Sequence, residues 1–259
     1  MELRQMKSRI LHAPRKLLER VLGIESKRLM AEVSYFSQRD KRLHPFVVEA
    51  LSLLVEPHEN SMGISVKSDS KDSIFTIYGS DKDTRHSYGD IYLELLVNIP
   101  KPRILEIGVG SINDFPYAGL PAGGGLKAFQ KIFPESIIVG VDIDPQSIET
   151  IRAGGFHGFV ADQTSTESLN NAKKSMIEYG PFDLIIDDGF HDPHANVRTL
   201  QTFFSLLSEG GTYVIEDIHE SLIIFWKVIS VYLPGNVQIV DMRSLRPGVD
   251  DNILILITR

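Results

Sequence analysis

Short runs of apolar and β-branched residues alternate with amphipathic stretches from about Ser80 onward, and this alternation constrains the fold more than any other feature. It is typical of a mostly parallel sheet that is covered by helices on both faces. We predict five parallel strands, at Arg103–Ile107, Ile137–Asp142, Gly158–Ala161, Phe182–Asp187 and Gly211–Glu216. Two further strands are predicted at Val237–Met242 and Asn252–Thr258. The predicted fold class is therefore α/β, with a doubly wound, Rossmann-like sheet of seven strands.

Amphipathic stretches between these strands predict six helices, at about residues 83–98, 125–133, 145–153, 166–179, 195–207 and 220–233. In the fifth of them, Val197, Leu200, Phe204 and Leu207 form one apolar face. Such a face is what a helix needs in order to pack against a sheet.

The segment that precedes this pattern differs in character. Its apolar residues recur at helical spacing up to about Glu56. Next, β-branched and aromatic residues at Gly63–Lys67 and Ser73–Tyr78 flank a polar turn, which predicts a hairpin or two short strands. We therefore divide the chain into a small, mainly helical N-terminal region, residues 1–72, and an α/β domain, residues 73–259.

The composition limits the chemistry. The chain contains no cysteine, which excludes disulfides, thiolate metal sites and cysteine nucleophiles. No apolar stretch is long enough to span a bilayer, so we expect a cytoplasmic protein without a transmembrane segment. The formal net charge is −7, although residues 1–45 hold eleven Lys or Arg against five Asp or Glu. The acidic remainder argues against a nucleic-acid partner and favours a small-molecule substrate.

Acidic residues and glycines follow the first two predicted strands. The first strand runs into Glu106-Ile-Gly108-Val-Gly110, and the second strand ends at Asp142. In an open α/β sheet, ligands bind outside the carboxyl ends of the strands, near the point where the strand order reverses. Glycines let the backbone approach a ligand, and a carboxylate after the second strand can accept the hydrogen bonds of a ribose diol. These residues predict a site for a nucleotide-like cofactor.

The details of the first loop distinguish two kinds of cofactor. A dinucleotide site needs a glycine turn that opens directly into a helix, whose N-terminus binds the pyrophosphate. Here Gly110 is followed by a long irregular loop that ends at Gly123-Gly-Gly125. Glu106 would also repel a pyrophosphate, whereas it suits the amino group and the sulfonium of S-adenosylmethionine.

These motifs resemble those of the class I S-adenosylmethionine-dependent methyltransferases, over about Tyr78–Arg259. Leu-Glu-Ile-Gly-Val-Gly is similar to the first motif of that family, and Asp142 to its ribose-binding acid. The resemblance implies a set of cofactor-binding residues: Glu106, Gly108 and Gly110 at the methionine end, Asp142 at the ribose, and Asp162 with Gln163 on the adenine side.

A narrower resemblance begins at Phe182–His191 and continues through Gly210–Asp217. Both stretches are similar to the metal-dependent sugar O-methyltransferases of the macrocin and mycinamicin type. Tyr78–Tyr88 also resembles a motif of that group that helps to enclose the cofactor, and this assigns Tyr88 to the cofactor site. The alternative is that His86 and Tyr88 pack against the first helix. The resemblance implies methyl transfer to a hydroxyl of a sugar or a glycosylated natural product.

Three carboxylates follow the fourth and fifth predicted strands, namely Asp188, Glu216 and Asp217. Oxygen ligands from adjacent strands could gather in one place, and such a set selects Mg²⁺ or a similar divalent cation. His191 lies three residues beyond Asp188 and is the predicted general base. Asp187 is assigned to the cofactor site. Two alternatives stay open for it: it orients its neighbours, or it replaces Asp188 as the direct metal ligand.

Two other functions stay open at this point. The same carboxylates would serve a metal-dependent methyltransferase of a catechol-like or other small diol. The chain could also bind S-adenosylmethionine without catalysis, while its basic N-terminal helices recruit a partner. The apolar surface of those helices leads us to expect a homo-oligomer.

Overall fold

The computed structural model describes residues 73–110 and 122–259. Its helices are α1 (Ile74–Ile77), α2 (Gly89–Leu96), α3 (Gly124–Ile132), α4 (Pro145–Ala153), α5 (Thr166–Met176), α6 (Pro193–Phe203) and α7 (Ile223–Ile229). Its strands are β1 (Arg103–Ile107), β2 (Ile137–Asp142), β3 (His157–Val160), β4 (Phe182–Asp187), β5 (Leu207–Ile215), β6 (Asn236–Asp241) and β7 (Ile253–Thr258). Residues 73–220 and 234–259 belong to one compact unit, and Ser221–Leu233, which contain α7, belong to a second.

The seven strands form one sheet in the order β3-β2-β1-β4-β5-β7-β6. Strands β1 to β5 run parallel, whereas β7 pairs antiparallel with both β5 and β6. The strand order reverses between β1 and β4, where Glu106 is in register with Gly140 on one side and Ile186 on the other. The carboxyl ends of the central strands therefore meet at one edge of the sheet, beside the reversal point. The predicted fold class is confirmed.

Both faces of the sheet are buried. Ile104 and Ile186 point into a cluster that includes the rings of Tyr92 and Phe129. The alternate residue Leu105, whose side chain points to the opposite face, is just as completely buried. Continuous burial of this kind explains why β1 and β4 read as unbroken apolar runs in the sequence. No helix in residues 73–110 and 122–259 combines the length and the apolar character that a membrane span needs.

The prediction of a strand at Ser73–Tyr78 is wrong, because Ile74–Ile77 form a helix. The Ser73 hydroxyl accepts a hydrogen bond from the Thr76 amide at 3.1 Å, which caps the first turn. This local bond outweighs the strand preference of the β-branched residues. The other half of the predicted hairpin, Gly63–Lys67, and the whole N-terminal region, residues 1–72, lie outside the described residues.

The helix predicted from residue 83 begins only at Gly89. Residues 81–86 form turns instead, and the Asp83 carboxylate accepts a hydrogen bond from the Gly89 amide at 2.9 Å. This difference matters for the site, because the turns carry Lys82 and His86 to the carboxyl ends of the strands.

Candidate active site at the carboxyl ends of the strands

The loop after β1 approaches the loop after β4 so closely that only glycine fits at Gly108. A Cβ there would lie 2.0 Å from the Asp188 carbonyl oxygen, and its φ of +83° also favours glycine. Gly110 has a φ of +77°, but a Cβ there would meet no atom of the described residues within 4 Å. At Gly110 only the backbone conformation favours glycine. At Gly108 the missing side chain also allows the loops after β1 and β4 to approach each other.

Glu106 is a buried carboxylate, and only one of its two oxygens has a partner among the described residues. Its Oε1 lies 3.1 Å from the Lys82 ammonium, and its Oε2 has no hydrogen-bond partner among the described residues. The N-terminus of α3 comes close, because a Cβ at Gly125 would lie 2.5 Å from Oε1. Burial raises the pKa of Glu106, although Lys82 lowers it. An unpartnered carboxylate oxygen in such a place would be stabilised by a cationic group.

Asp142 stands at the end of β2 and links two loops. Its carboxylate accepts hydrogen bonds from the Val109 amide and from the Asp144 amide, both at 2.9 Å. The side chain is half-buried. The backbone thus holds this acid in a fixed orientation at the position predicted for ribose binding.

Asp162 follows β3 and is held by its own loop. Its Oδ1 accepts hydrogen bonds from the amide and the hydroxyl of Thr164, both at 2.7 Å. These bonds lower the pKa of Asp162 and keep it ionised. The other carboxylate oxygen is left for the predicted adenine amino group.

Gln163 and Asp187 face the inside of the protein. The Gln163 amide nitrogen lies 2.7 Å from Asp187 Oδ1 and 3.0 Å from the Thr199 hydroxyl, and its carbonyl oxygen accepts from the Phe190 amide at 2.7 Å. The Tyr213 hydroxyl donates to the second oxygen of Asp187, which is fully buried. Burial raises the pKa of Asp187 to about 6. The structure does not bring these two side chains to the edge where the cofactor is predicted, and it favours the orienting role for Asp187.

Asp188, His191 and Asp217 form a cluster after β4 and β5. His191 Nε2 lies 3.9 Å from Asp188 Oδ1 and 4.0 Å from Asp217 Oδ2, and one ligand atom from each residue lies within 4.8 Å of the others. His191 has a φ of +51° and Asp217 a φ of +56°. Left-handed backbone at a non-glycine residue costs about 1–2 kcal/mol, and such strain concentrates at functional sites. Two of the three predicted metal ligands and the predicted base are thus neighbours.

Glu216, the third predicted metal ligand, is bound by other side chains. The Lys82 ammonium lies 2.7 Å from Glu216 Oε1, 2.7 Å from Asp188 Oδ2 and 3.1 Å from Glu106 Oε1. The Tyr92 hydroxyl donates to the same oxygen of Glu216. Lys82 and Glu216 are each 1% exposed, so this ion pair is shielded from water. The structure therefore joins Glu216 to Lys82 and Tyr92 and does not group it with the other two predicted ligands.

Burial and mutual repulsion shift the protonation of this cluster. Burial raises the pKa of Asp217 to about 7, and the nearby charge of Asp188 adds to the increase. The pKa of Glu216 is raised for the same two reasons, in spite of Lys82. Burial alone would lower the pKa of Lys82, but Asp188, Glu216 and Glu106 together raise it. One ammonium facing the three carboxylates of Glu106, Asp188 and Glu216 leaves an excess of negative charge, which a divalent cation would relieve.

Tyr88, which the sequence assigns to the cofactor, lies against Asp217. Its hydroxyl is 3.0 Å from both Asp217 Oδ1 and the Asp251 carbonyl oxygen, and it donates to one of them. His86 stacks on the Tyr88 ring with a centroid separation of 4.7 Å. Burial lowers the pKa of His86 to about 4, so its ring is neutral at pH 7. Tyr88 is fully buried, and the structure places it as a support of a strand-end carboxylate.

The sequence analysis missed Lys82 and Tyr92. Lys82 lies within the Tyr78–Tyr88 motif, so a lysine between two acidic residues was a signal that could have found it. Tyr92 carries no such signal. Its position on α2 turns it inward, but nothing in the sequence connects it with Glu216 before the fold is known.

No family model matches the chain, but similar proteins share one activity in their names. The 8-demethyl-8-α-L-rhamnosyl tetracenomycin-C 2′-O-methyltransferase of Streptomyces olivaceus is 36% identical over 146 residues, which are 56% of this chain and 36% of that protein. The L-olivosyl-oleandolide 3-O-methyltransferase of Streptomyces antibioticus is 40% identical over 120 residues, or 46% and 28% of the two chains. The mycinamicin VI 2″-O-methyltransferase of Micromonospora griseorubida is 38% identical over 118 residues, or 45% and 27%.

Among solved structures, the MycE methyltransferase of the mycinamycin pathway, in complex with Mg, SAH and mycinamycin VI, has a TM-score of 0.48 and 28% identity. The similarity covers 59% of this chain and 38% of that one. The matched regions of the three sequence relatives span only 27% to 36% of those proteins.

The sheet consists of five parallel strands with an antiparallel β7 inserted between β5 and β6. The described α/β domain has the class I S-adenosylmethionine-dependent methyltransferase fold. In this domain, the crevice between β1 and β4 is flanked by Glu106 and Asp142 on one side and by Asp188 and Asp217 on the other.

Proposed function

We propose that the chain is an S-adenosylmethionine-dependent and Mg²⁺-dependent O-methyltransferase that acts on a hydroxyl of a sugar or a glycosylated natural product. The observation that carries the proposal is the cluster of Asp188, Asp217 and His191 beside the crevice that Glu106 closes. A cation site next to a cofactor site is what a metal-assisted transfer to a hydroxyl requires.

The residues on the β1 and β2 side fit S-adenosylmethionine. Glu106 offers a buried oxygen without a hydrogen-bond partner among the described residues, which suits the amino group of the cofactor. Asp142 is oriented by two backbone amides for the ribose diol, and Asp162 is kept ionised for the adenine amino group. S-adenosylmethionine would supply the electrophilic methyl group.

The residues on the β4 and β5 side fit a hard divalent cation. Asp188 and Asp217 would hold it through carboxylate oxygens, which Mg²⁺ prefers, and Glu216 is proposed as the third ligand. Burial, together with the charge of Asp188, raises the pKa of Asp217, so a nearby cation would stabilise its ionised form. Mg²⁺ would supply this positive charge and would lower the pKa of an acceptor hydroxyl.

His191 is proposed to receive the proton of the acceptor hydroxyl at Nε2. Its side chain is 38% exposed, so a substrate can reach it, while Asp188 and Asp217 would stabilise the imidazolium that forms. Lys82 would keep Glu106 and Asp188 in fixed positions.

The acceptor class is supported by the relatives. The names of all five similar proteins describe O-methyltransferases, and three of these names include a rhamnosyl or olivosyl sugar. Because the matches cover a minor part of those proteins, the acceptor of this chain is a proposal. We further propose a cytoplasmic homo-oligomer that uses no nucleic acid, with a helical region at residues 1–72 and the methyltransferase domain at residues 73–259.

The experiment is a methyl-transfer assay with S-adenosylmethionine carrying a labelled methyl group. The full chain is incubated with Mg²⁺ and either a rhamnosyl tetracenomycin, mycinamicin VI or catechol. We expect label in a glycoside, and a loss of transfer when EDTA removes the cation. Transfer to catechol alone would favour the diol alternative, and cofactor binding without any transfer would favour a non-catalytic binding protein.

A further inference from the structure

His86 is a buried histidine that the proposed methyl transfer does not use. Its side chain is 1% exposed, and neither ring nitrogen has a hydrogen-bond partner among the described residues. Nε2 lies 3.2 Å from Asp217 Oδ1, yet the two atoms are not oriented as a hydrogen bond. A buried imidazole normally satisfies its nitrogens, so this ring is oriented toward a partner that residues 73–110 and 122–259 do not supply.

A tight turn brings Asp81 to the same place. The Asp81 carbonyl oxygen accepts hydrogen bonds from the amides of Thr84, Arg85 and His86 at 3.0 to 3.1 Å, which folds the chain back over Asp81. One ligand atom each from Asp81, His86 and Asp217 then lies within 4.8 Å of the others. Two carboxylates and an imidazole thus converge from two segments that are far apart in the sequence.

Asp217 presents its two oxygens in two directions. Oδ1 faces His86 at 3.2 Å, whereas Oδ2 faces His191 at 4.0 Å. Neighbouring ligands at about 2.1 Å from an octahedral ion are separated by roughly 3 Å, and the distance from His86 to Oδ1 is close to that value. The carboxylate of Asp217 can therefore belong to two different sites.

The His86 ring is held in one orientation. It stacks on Tyr88 with an interplanar angle of 13°, and the Tyr88 hydroxyl reaches Asp217 Oδ1 at 3.0 Å. Outer contacts of this kind fix the direction of ligand atoms in metal sites and contribute to affinity.

We infer that Asp81, His86 and Asp217 form a second divalent-cation site, distinct from the cluster of Asp188 and His191. The imidazole nitrogen favours a first-row transition metal, such as Mn²⁺ or Co²⁺, over Mg²⁺, which prefers oxygen ligands. Two carboxylates neutralise the charge of the ion. A cation here ties the segment that carries Lys82 to the end of β5. The site shares Asp217 with the proposed active site but does not depend on methyl transfer.

The experiment is a titration of the metal-free full chain with Co²⁺ alone, followed by calorimetry and by visible absorption. His86→Phe keeps the ring stack on Tyr88 and removes both nitrogens. His157→Phe is the matched control, since the His157 ring also contacts a tyrosine ring, that of Tyr179, with a centroid separation of 4.2 Å and away from this cluster. Asp81→Asn provides a second test of the site that leaves the ring stack intact.

We expect His86→Phe and Asp81→Asn each to weaken the binding of one equivalent of Co²⁺ by at least about tenfold, while His157→Phe leaves the titration unchanged. Asp188→Asn should leave the affinity for that equivalent unchanged. Equal Co²⁺ binding by the wild type, His86→Phe and Asp81→Asn would overturn the inference. Binding of S-adenosylhomocysteine, measured separately, reports on the proposed function, so the failure of one is distinguishable from the failure of the other.

Discussion

Two pairs of acids on the two sides of the crevice are held in different ways. On the β1 to β3 side, Asp142 and Asp162 are half-buried and are oriented by backbone amides of nearby loops. On the β4 and β5 side, Glu216 and Asp217 are oriented by side chains from distant segments, including Lys82 and Tyr88. The loop hydrogen bonds lower the pKa of Asp162, whereas burial raises the pKa of Glu216 and of Asp217.

This difference indicates which kind of ligand would be stabilised on each side. Backbone amides stabilise the ionised form of Asp162, which can then accept hydrogen bonds from a neutral ligand group. Burial and repulsion destabilise the ionised form of Asp217, which is then favoured by a cation. This difference supports the proposal that one side binds an adenosine-like ligand and the other a metal ion.

The largest effect is expected on turnover. His191→Ala should lower the rate of methyl transfer by about 10² to 10⁴, because it removes the proposed proton acceptor on the cation side. The affinity for S-adenosylhomocysteine should stay nearly unchanged, because that ligand occupies the other side. Steady-state kinetics and calorimetry on the same variant check both parts. Loss of cofactor binding without a specific loss of turnover would contradict the division of roles.

The next effect is expected on stability. Lys82→Met should lower the free energy of unfolding by about 3–5 kcal/mol, since it leaves buried carboxylates without their ammonium partner. The loss should be larger at pH 8 than at pH 5, because the acids take up protons as the pH falls. Lys101→Met is the control: Lys101 pairs with Glu135 at the surface, and its removal should cost less than about 1 kcal/mol. Urea denaturation measures both, and equal losses would refute the proposed importance of burial.

A third effect depends on pH. Burial raises the pKa of Asp187 to about 6 in the folded protein, so the folded state binds a proton more tightly than the unfolded state does. The contribution of Asp187 to stability is therefore present below about pH 4 and is lost as the pH rises to about 6. Between pH 4 and pH 7, the free energy of unfolding of Asp187→Asn should therefore rise by about 3 kcal/mol relative to that of the wild type. Parallel stability curves for the two proteins would argue against a raised pKa.

The smallest effect is expected at the ribose position. Asp142→Asn should weaken the binding of S-adenosylhomocysteine by about tenfold to a hundredfold, because hydrogen bonds to a charged group contribute about 1.5–3 kcal/mol. Co²⁺ and Mg²⁺ binding should not change. Asp241→Asn is the control, because Asp241 also ends a strand, β6, but pairs with Arg243 instead. A comparable loss in metal affinity for Asp142→Asn would mean that the two sides are not separate.

The sequence predicts the strands and the acids that end them because both follow local rules. The bounds of β1, β2 and β4 agree with the predicted ones, since a strand buried on both faces must be an unbroken apolar run. The positions of Asp142 and Asp188 follow from those strand ends. The partners of the acids were not predictable in the same way. Lys82 meets Glu216 across 134 positions of sequence, and only the fold brings them together.

The structure differs locally from the prediction at Ser73–Tyr78 and at Gln163, and both differences have physical causes. A strand was predicted at Ser73–Tyr78 because β-branched residues favour strands, but the Ser73 cap decides for a helix. Gln163 was placed at the cofactor because of its position after Asp162. In the structure its side chain is buried, and its amide nitrogen donates to Asp187 and Thr199, partners that the sequence does not reveal.

The most direct test of the account is a calorimetric titration of the full chain with S-adenosylhomocysteine, with Mg²⁺ present and NAD as the comparison ligand. The account predicts micromolar binding of S-adenosylhomocysteine and no detectable binding of NAD, because Glu106 suits an amino group and repels a pyrophosphate. Absence of S-adenosylhomocysteine binding, or a preference for NAD, would contradict the methyltransferase proposal and would leave Asp188 and Asp217 as part of a metal site without an assigned reaction.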